Sequence, residues 1–169
     1  EGKTAWLAKL SGLLTEKGVR VGGLLALRIV EDEKTTGYDV SDISTGKRTP
    51  FLRHTGSETM GVERFTMDDA GFIAGRNALD PANNLDNRVM IVDEVGPLEL
   101  RGRGWSEVLG ALLQETRATV IIAVRKTLTE AVIDRFGLEG AQVIDVAGAN
   151  VVSFADEISF KTKNHSHNE

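Results

Sequence analysis

The stretch Val89-Met90-Ile91-Val92-Asp93-Glu94-Val95-Gly96-Pro97-Leu98-Glu99-Leu100 decides how this chain is read. An apolar run, Val89 to Val92, leads into two adjacent carboxylates and then a Gly-Pro stop. A short apolar run closed by a turn signal predicts a strand buried on both faces, as in a parallel sheet. Asp93 and Glu94 then fall at the carboxyl end of that strand, where open α/β sheets place their ligands. Carboxylates beside a buried strand are costly unless something pairs with them, and a bound metal ion would do so. The alternative is a strand end whose acids simply face water.

The flanking sequence alternates strand and helix signals. Trp6, Leu7, Leu10, Leu13 and Leu14 recur at helical spacing before a stop at Gly18. Residues 19–30 read as a strand, with Gly22-Gly23 as a bulge or a close approach. Residues 36–43 and 47–53 flank Ser44-Thr45-Gly46 and predict a β-hairpin, with Pro50 favouring an edge position for its second arm. Residues 54–61 read as a surface loop and 62–65 as a short strand. A helix capped by Thr66 or Asp68 is expected to run to Leu79. Beyond the central stretch, residues 105–115 predict a helix, 119–124 a strongly apolar strand, and a helix capped at Thr127 or Thr129 should close at Gly137. Residues 143–146 read as a third strand and 153–160 as a last helix. The expected architecture is α/β: a mostly parallel sheet flanked by helices, with an antiparallel β-hairpin insertion. One domain is expected over residues 1–160, with a flexible tail over 161–169.

Composition narrows the function. The chain has 169 residues, 41% of them hydrophobic and 27% charged, as in ordinary soluble domains. A net charge of −5 argues against a general nucleic-acid binder, though a local site for a phosphorylated small molecule is compatible with it. With no cysteine, disulfides, thiolate nucleophiles and Cys-based zinc sites are excluded, which fits a reducing, cytoplasmic setting. No apolar run approaches the roughly 20 residues of a membrane span. His165 and His167 lie in a polar terminal stretch and are poor metal-ligand candidates.

Gly2-Lys3-Thr4, at the start of a helix, is the closing half of a phosphate-binding loop. In the complete motif, backbone N–H groups and the helix N-terminus face the phosphates, the lysine reaches the β- and γ-phosphates, and the hydroxyl holds Mg²⁺. Three residues alone are a weak signal, and a scrap of surface helix would read the same way. The apolar strand ending in Asp93-Glu94 strengthens it, and together the two look like Walker A and Walker B elements. Glu1, Gly2, Lys3, Thr4 and Ala5 would then surround the phosphates. Thr4 and Asp93 would hold Mg²⁺, which needs few protein ligands because it keeps several waters. Glu94 points differently from Asp93 and is free to polarise the attacking water; otherwise it is an ion-pair partner. Arg125, just after the strand 119–124, either senses and neutralises the γ-phosphate or is a surface arginine. Arg101 and Arg103 read as solvated loop charges, and Trp6 as core packing rather than a base-stacking platform.

On these residues the chain resembles the P-loop nucleoside-triphosphatases of bacteria, archaea and animals, the family that includes the human cancer-related nucleoside-triphosphatase. The likeness rests on Gly2-Lys3-Thr4, on Gly37-Tyr38-Asp39-Val40 with Ile43 and Thr45-Gly46-Lys47-Arg48, and on Val92-Asp93-Glu94-Val95-Gly96-Pro97-Leu98-Glu99. It implies a P-loop fold and Mg²⁺-dependent hydrolysis of nucleoside triphosphates, ATP and GTP among them, with loose base selectivity. Lys3, Glu94 and Arg125 would be the catalytic residues. The competing readings are a nucleotide-dependent switch or accessory protein, a small-molecule kinase on the same fold, and a purely structural or interaction unit.

The family pattern also implies an apolar strand and a Gly-rich half-loop ahead of Glu1. Such a strand buries about five residues, each contributing roughly 1.5–3 kcal/mol if large and apolar. That sum rivals the whole stability of a domain, about 5–15 kcal/mol. The first strand is therefore expected to lie outside the sequence given.

Overall fold

A computed structural model describes residues 2–55 and 65–165. Three helices and the first strands set the frame. Helix α1 (Lys3–Glu16) buries Leu7, Leu10 and Leu14 on one face and ends near Gly18, as the helical spacing predicts. Strand β1 (Val21–Glu31) turns back into β2 (Lys34–Asp42), and β3 (Arg48–His54) follows antiparallel to β2 across the Ser44-Thr45-Gly46 loop. Strand β4 (Phe65–Met67) pairs with β3, and Asp68 accepts the Ala70 N–H at 2.8 Å to start α2 (Asp69–Leu79). The cap is thus Asp68 rather than Thr66. Of the expected loop 54–61 and short strand 62–65, residues 56–64 lie outside the described residues.

Strand β5 (Val89–Val95) carries the central stretch and is followed by the single turn of α3 (Pro97–Leu100), by α4 (Ser106–Glu115) and by β6 (Thr119–Val124). A short 3-10 turn, Lys126–Leu128, precedes α5 (Thr129–Phe136), which closes on Gly137 at φ 65°. Helix α6 (Val151–His165) completes the order and runs past Phe160, with Thr162 buried and its hydroxyl donating to the Ser159 carbonyl at 3.1 Å.

The six strands are ordered β4-β3-β2-β1-β5-β6. Only β1–β5 and β5–β6 are parallel; β1–β2, β2–β3 and β3–β4 are antiparallel. The sheet is therefore mixed rather than mostly parallel, because the first half of the chain returns on itself as a meander instead of crossing over through helices. Pro50 does not sit on an edge strand. It opposes Asp39 at a register shift, and β4 reaches only Leu52 to His54, so Pro50 falls where the ladder is interrupted.

Residues 143–146 form no strand. They run without regular structure into a turn, and Val143 is exposed. Among the described residues β6 pairs only with β5, and between β6 and residues 141–146 lies a cleft of about 660 Å³. Its walls include Trp6 and Leu7 of α1, Ile133 of α5, and Phe154 and Ile158 of α6, with Lys3 among its lining residues. An apolar segment becomes a strand only where a ladder partner takes its N–H and C=O groups, and β6 lies across the cleft.

Strand β5 holds the two faces together. Val89 and Ile91 pack with α1 and α6, while Met90 and Val92 pack with α2 and α4; all four are essentially inaccessible. That is the two-faced burial expected of the apolar run. Gly23 of β1 lies against it at φ 102°, and a Cβ there would stand 2.0 Å from the Ile91 carbonyl oxygen. Gly23 thus marks a close approach of strands, whereas Gly22 makes room for the Asn84 and Asn87 side chains. Gly23→Ala should destabilise the fold by about 2–5 kcal/mol, from left-handed strain plus overpacking. Gly12→Ala, mid-helix in open space, should instead stabilise it by about 1 kcal/mol. Urea unfolding midpoints read both; equal midpoints for the two variants would refute this account of the β1–β5 contact.

Candidate functional site

The β1–β5 ladder runs from Val21 and Val89 to Leu24 and Val92. Immediately beyond, the Asp93 side chain takes over from the ladder, its Oδ2 accepting the Ala26 N–H at 3.1 Å. The residue is 1% exposed, and its other oxygen, Oδ1, is buried with no hydrogen-bond partner. A buried acceptor left unpaired is rare and expensive in a native fold. Burial pushes the Asp93 carboxyl above its ordinary pKa, and the Glu94 charge adds to the rise. The Thr4 hydroxyl, the Ala26 N–H and the Lys3 charge act against it. Thr4 and Lys3, separated from Asp93 by more than half of the chain, are thus its neighbours in space.

Both come from the first turn of α1. Gly2 precedes the helix at φ 90°, a left-handed conformation that glycine adopts without strain, and the Trp6 N–H donates to the Gly2 carbonyl at 2.9 Å. The first-turn N–H groups of Lys3, Thr4 and Ala5 have no intrahelical acceptor. No acidic side chain stands in that turn. The helix therefore presents free donors and the positive end of its dipole beside the Asp93 carboxylate. Gly2 and Ala5 are exposed, Lys3 and Thr4 half-buried, and Glu1 lies outside the described residues.

Glu94 leaves the strand differently. Its φ of 61° is left-handed, an uncommon conformation for a non-glycine residue. The β5–β6 register shifts here: Val92 faces Ile122, yet Val95 faces Val124, so one extra residue is accommodated on β5. Strict alternation would send Val95 to the α1 face, but Val95 packs with Val92 in the α2 and α4 cluster. The bulge thus turns the Glu94 carboxylate away from the path of the strand and out of the core. There Arg125, at the end of β6, meets it: Nε donates to Glu94 Oε1 at 3.0 Å, and the second guanidinium nitrogen lies 3.0 Å from the same oxygen. Backbone strain at a polar residue beside a buried carboxylate is the signature of a site rather than of packing.

The constellation read from the sequence is therefore brought together as two contiguous groups, Lys3-Thr4-Asp93 and Glu94-Arg125, joined by the Asp93-Glu94 peptide. Arg101 and Arg103 are exposed on the loop after α3. Trp6 packs against Phe154, ring centroids 5.4 Å apart, and its Nε1 donates to the Ala149 carbonyl at 3.3 Å, so it ties α1 to the approach to α6. Two participants escaped the sequence reading. One is the Ala26 N–H, a backbone donor with no sequence signature. The other is Glu99, buried, whose carboxylate accepts the Gly96 N–H at 3.0 Å and the Trp105 N–H at 3.2 Å. An acid three residues after a helix-starting Gly is half of a capping box and would have flagged it.

Among the described residues no three His, Cys, Asp or Glu side chains gather into a ready-made metal cage. The donor set present, a hydroxyl and an orphaned carboxylate oxygen, fits a small hard cation that retains most of its waters. Among the described residues no helix is long and apolar enough to cross a membrane.

A family profile described as NTPase matches residues 1–159. The nucleoside-triphosphatase THEP1 of Thermoplasma volcanium is 25% identical over 153 residues, 88% of this chain and 83% of that protein. Its namesake from Methanosarcina acetivorans is 28% identical over 161 residues, 94% of this chain and 89% of the other. The solution structure of a human cancer-related nucleoside triphosphatase shares the fold, with a TM-score of 0.69 at 21% identity, covering 97% of this chain and 93% of that one.

A carboxyl whose pKa is raised on folding adds stability below the ordinary carboxylate range and loses it as pH climbs through the folded value. At neutral pH, where the unfolded chain ionises this carboxyl freely, its burial therefore costs the metal-free fold stability that it does not cost in acid. Asp93→Asn should raise the metal-free Tm at pH 7–8, by roughly 2–4 °C for each kcal/mol relieved. The gain should shrink toward acid pH, where both side chains are neutral. A wild type more stable than Asp93→Asn in metal-free neutral buffer would contradict the assignment.

Proposed function

Because the chain belongs to the NTPase family, whose profile spans residues 1–159, we propose that it hydrolyses nucleoside triphosphates to diphosphate and phosphate with Mg²⁺. The observation that carries the reading is the buried, unpartnered Oδ1 of Asp93 beside Thr4 and Lys3. Asp93 and the Thr4 hydroxyl would hold the ion, and Lys3 with the free N–H groups of the α1 first turn would hold the phosphates. A Mg²⁺ ion held there would offset the negative charge that develops on the phosphate. Arg125 fixes Glu94 through Oε1, and Oε2 takes the proton of the attacking water. The water oxygen bonds to the γ-phosphorus, the bond to the bridging oxygen breaks, and the nucleoside diphosphate leaves with that electron pair. The roles proposed for Lys3, Thr4, Asp93, Glu94 and Arg125 all concern the phosphates, the ion and the water, and loose base selectivity is what the family likeness implies. The setting is cytoplasmic in this reading, and the partner is the nucleotide itself.

The cleft beside β6 fits the same reading. An extended apolar segment lying along β6 would cover Val120 to Val124, give residues 143–146 a ladder partner, and run toward Lys3 at the cleft's edge. The first strand that the family likeness implies would fit there. The support is the shape and apolar lining of the cleft together with the half-buried state of β6.

Glu94→Gln should retain nucleotide binding and lose about 10²–10⁴-fold in turnover, the span of lost acid–base assistance. Phosphate release assayed beside nucleotide-dependent thermal shift separates the two properties. Phosphate release at the wild-type rate would reject Glu94, and transfer of the phosphoryl group to a metabolite in preference to water would replace hydrolase by kinase.

A further inference from the structure

We infer that Glu99 is a positioning residue for hydrolysis: it locks the turn that leaves β5 and thereby sets where the Glu94 carboxylate stands. The inference rests on the role proposed for Glu94. Glu99 is 6% exposed, yet it joins no ion pair among the described residues and is not part of the Lys3-Thr4-Asp93 group. Its two oxygens are spent on backbone donors from different elements: Oε2 on the Gly96 N–H, directly after β5, and Oε1 on the Trp105 N–H, at the head of α4. Bonds from N–H groups to an ionised carboxylate are stronger than neutral ones, so the strap is stiff.

Each end of the strap has a different character. Trp105 is a fixed post: it is buried, stacks on Phe51 with centroids 4.8 Å apart, and donates from Nε1 to the Phe72 carbonyl at 3.3 Å. The Gly96 end is soft, because α3 is a single turn and a helix so short does not hold itself. Glu94, two residues before Gly96, sits at φ 61°, a conformation that persists only where its surroundings over-determine it. Before it the Val92–Ile122 pair and the Asp93–Ala26 bond restrain the strand; after it the restraints are the Val95–Val124 pair and, one residue on, Gly96 held by Glu99. The backbone has been cleared for this contact. Gly104 lies at φ 57°, and a Cβ there would come 2.2 Å from Glu99 Oε1, so any side chain at position 104 would displace the carboxylate.

Loosening the strap should move Glu94 without touching the α1 first turn that holds the nucleotide. Turnover should then fall while nucleotide affinity stays, because a misplacement of about 1 Å at a reacting group costs on the order of 100-fold. The experiment measures kcat, KM for Mg·ATP and Tm on the full chain as wild type, Glu99→Gln, Gly104→Ala and Glu107→Gln, an exposed acid of α4. Glu99→Gln and Gly104→Ala should each lower kcat by about 10–100-fold, per folded chain, with KM unchanged; Glu107→Gln should match wild type. If Glu99→Gln does not fold, Gly104→Ala, which keeps the carboxylate, carries the test. Wild-type kcat in a folded Glu99→Gln or Gly104→Ala, or a loss accounted for entirely by the unfolded fraction, overturns the inference and leaves the function standing. No phosphate release by the wild type itself overturns both.

Discussion

A carboxylate that the fold buries and only half satisfies governs this molecule. Asp93 ends the β1–β5 ladder by accepting the Ala26 N–H, and among the described residues its second oxygen has no hydrogen-bond partner. Burying a charge in this way works against folding unless a cation or a strong set of donors joins it. The chain places the start of α1 beside this carboxyl, so the Thr4 hydroxyl, the Lys3 ammonium and the free N–H groups of a first turn lie on its side of the fold. The cost is stored where a cation and a phosphate together would relieve it.

The rest of the fold serves that point from two sides. The two-faced burial of Val89 to Val92 fixes β5 in the middle of the molecule, and Gly23 lets β1 approach closely enough for Asp93 to reach Ala26. Past Asp93 the strand has to present a second carboxylate in another direction within one residue. A left-handed Glu94 does this, and the bulge returns Val95 to the core on the α2 and α4 side. Arg125 meets Glu94 from β6, and Glu99 ties the exit of the bulge to Trp105. In the proposed hydrolysis, one short strand would thereby divide the metal-facing and water-facing duties between adjacent residues.

Much of this could be read from residue order because the signals were local. The apolar run before Asp93-Glu94, the leucine spacing of α1, the Ser44-Thr45-Gly46 loop and Gly137 each specify their own conformation. Where a segment's structure depends on a distant partner, reading failed. Residues 143–146 are apolar and bounded by turns, but a strand is a pairing, and the cleft separates them from β6. The sheet is less parallel than the strand–helix alternation implies for a related reason: β2, β3 and β4 are no mere insertion but make up half its strands, all paired antiparallel. At the site, the residue types Lys3, Thr4, Asp93 and Glu94 were evident, while the bulge at Glu94 and the Ala26 donor were not. Both depend on the register between strands, which no single segment encodes.

The measurement that bears most directly on the half-satisfied Asp93 is calorimetric titration of the full chain with ATP, with and without Mg²⁺. The account predicts binding that depends on Mg²⁺ in the wild type and loses that dependence in Asp93→Ala. Equal affinity for ATP in Mg²⁺ and in EDTA, or a Mg²⁺ dependence that survives Asp93→Ala, would contradict it.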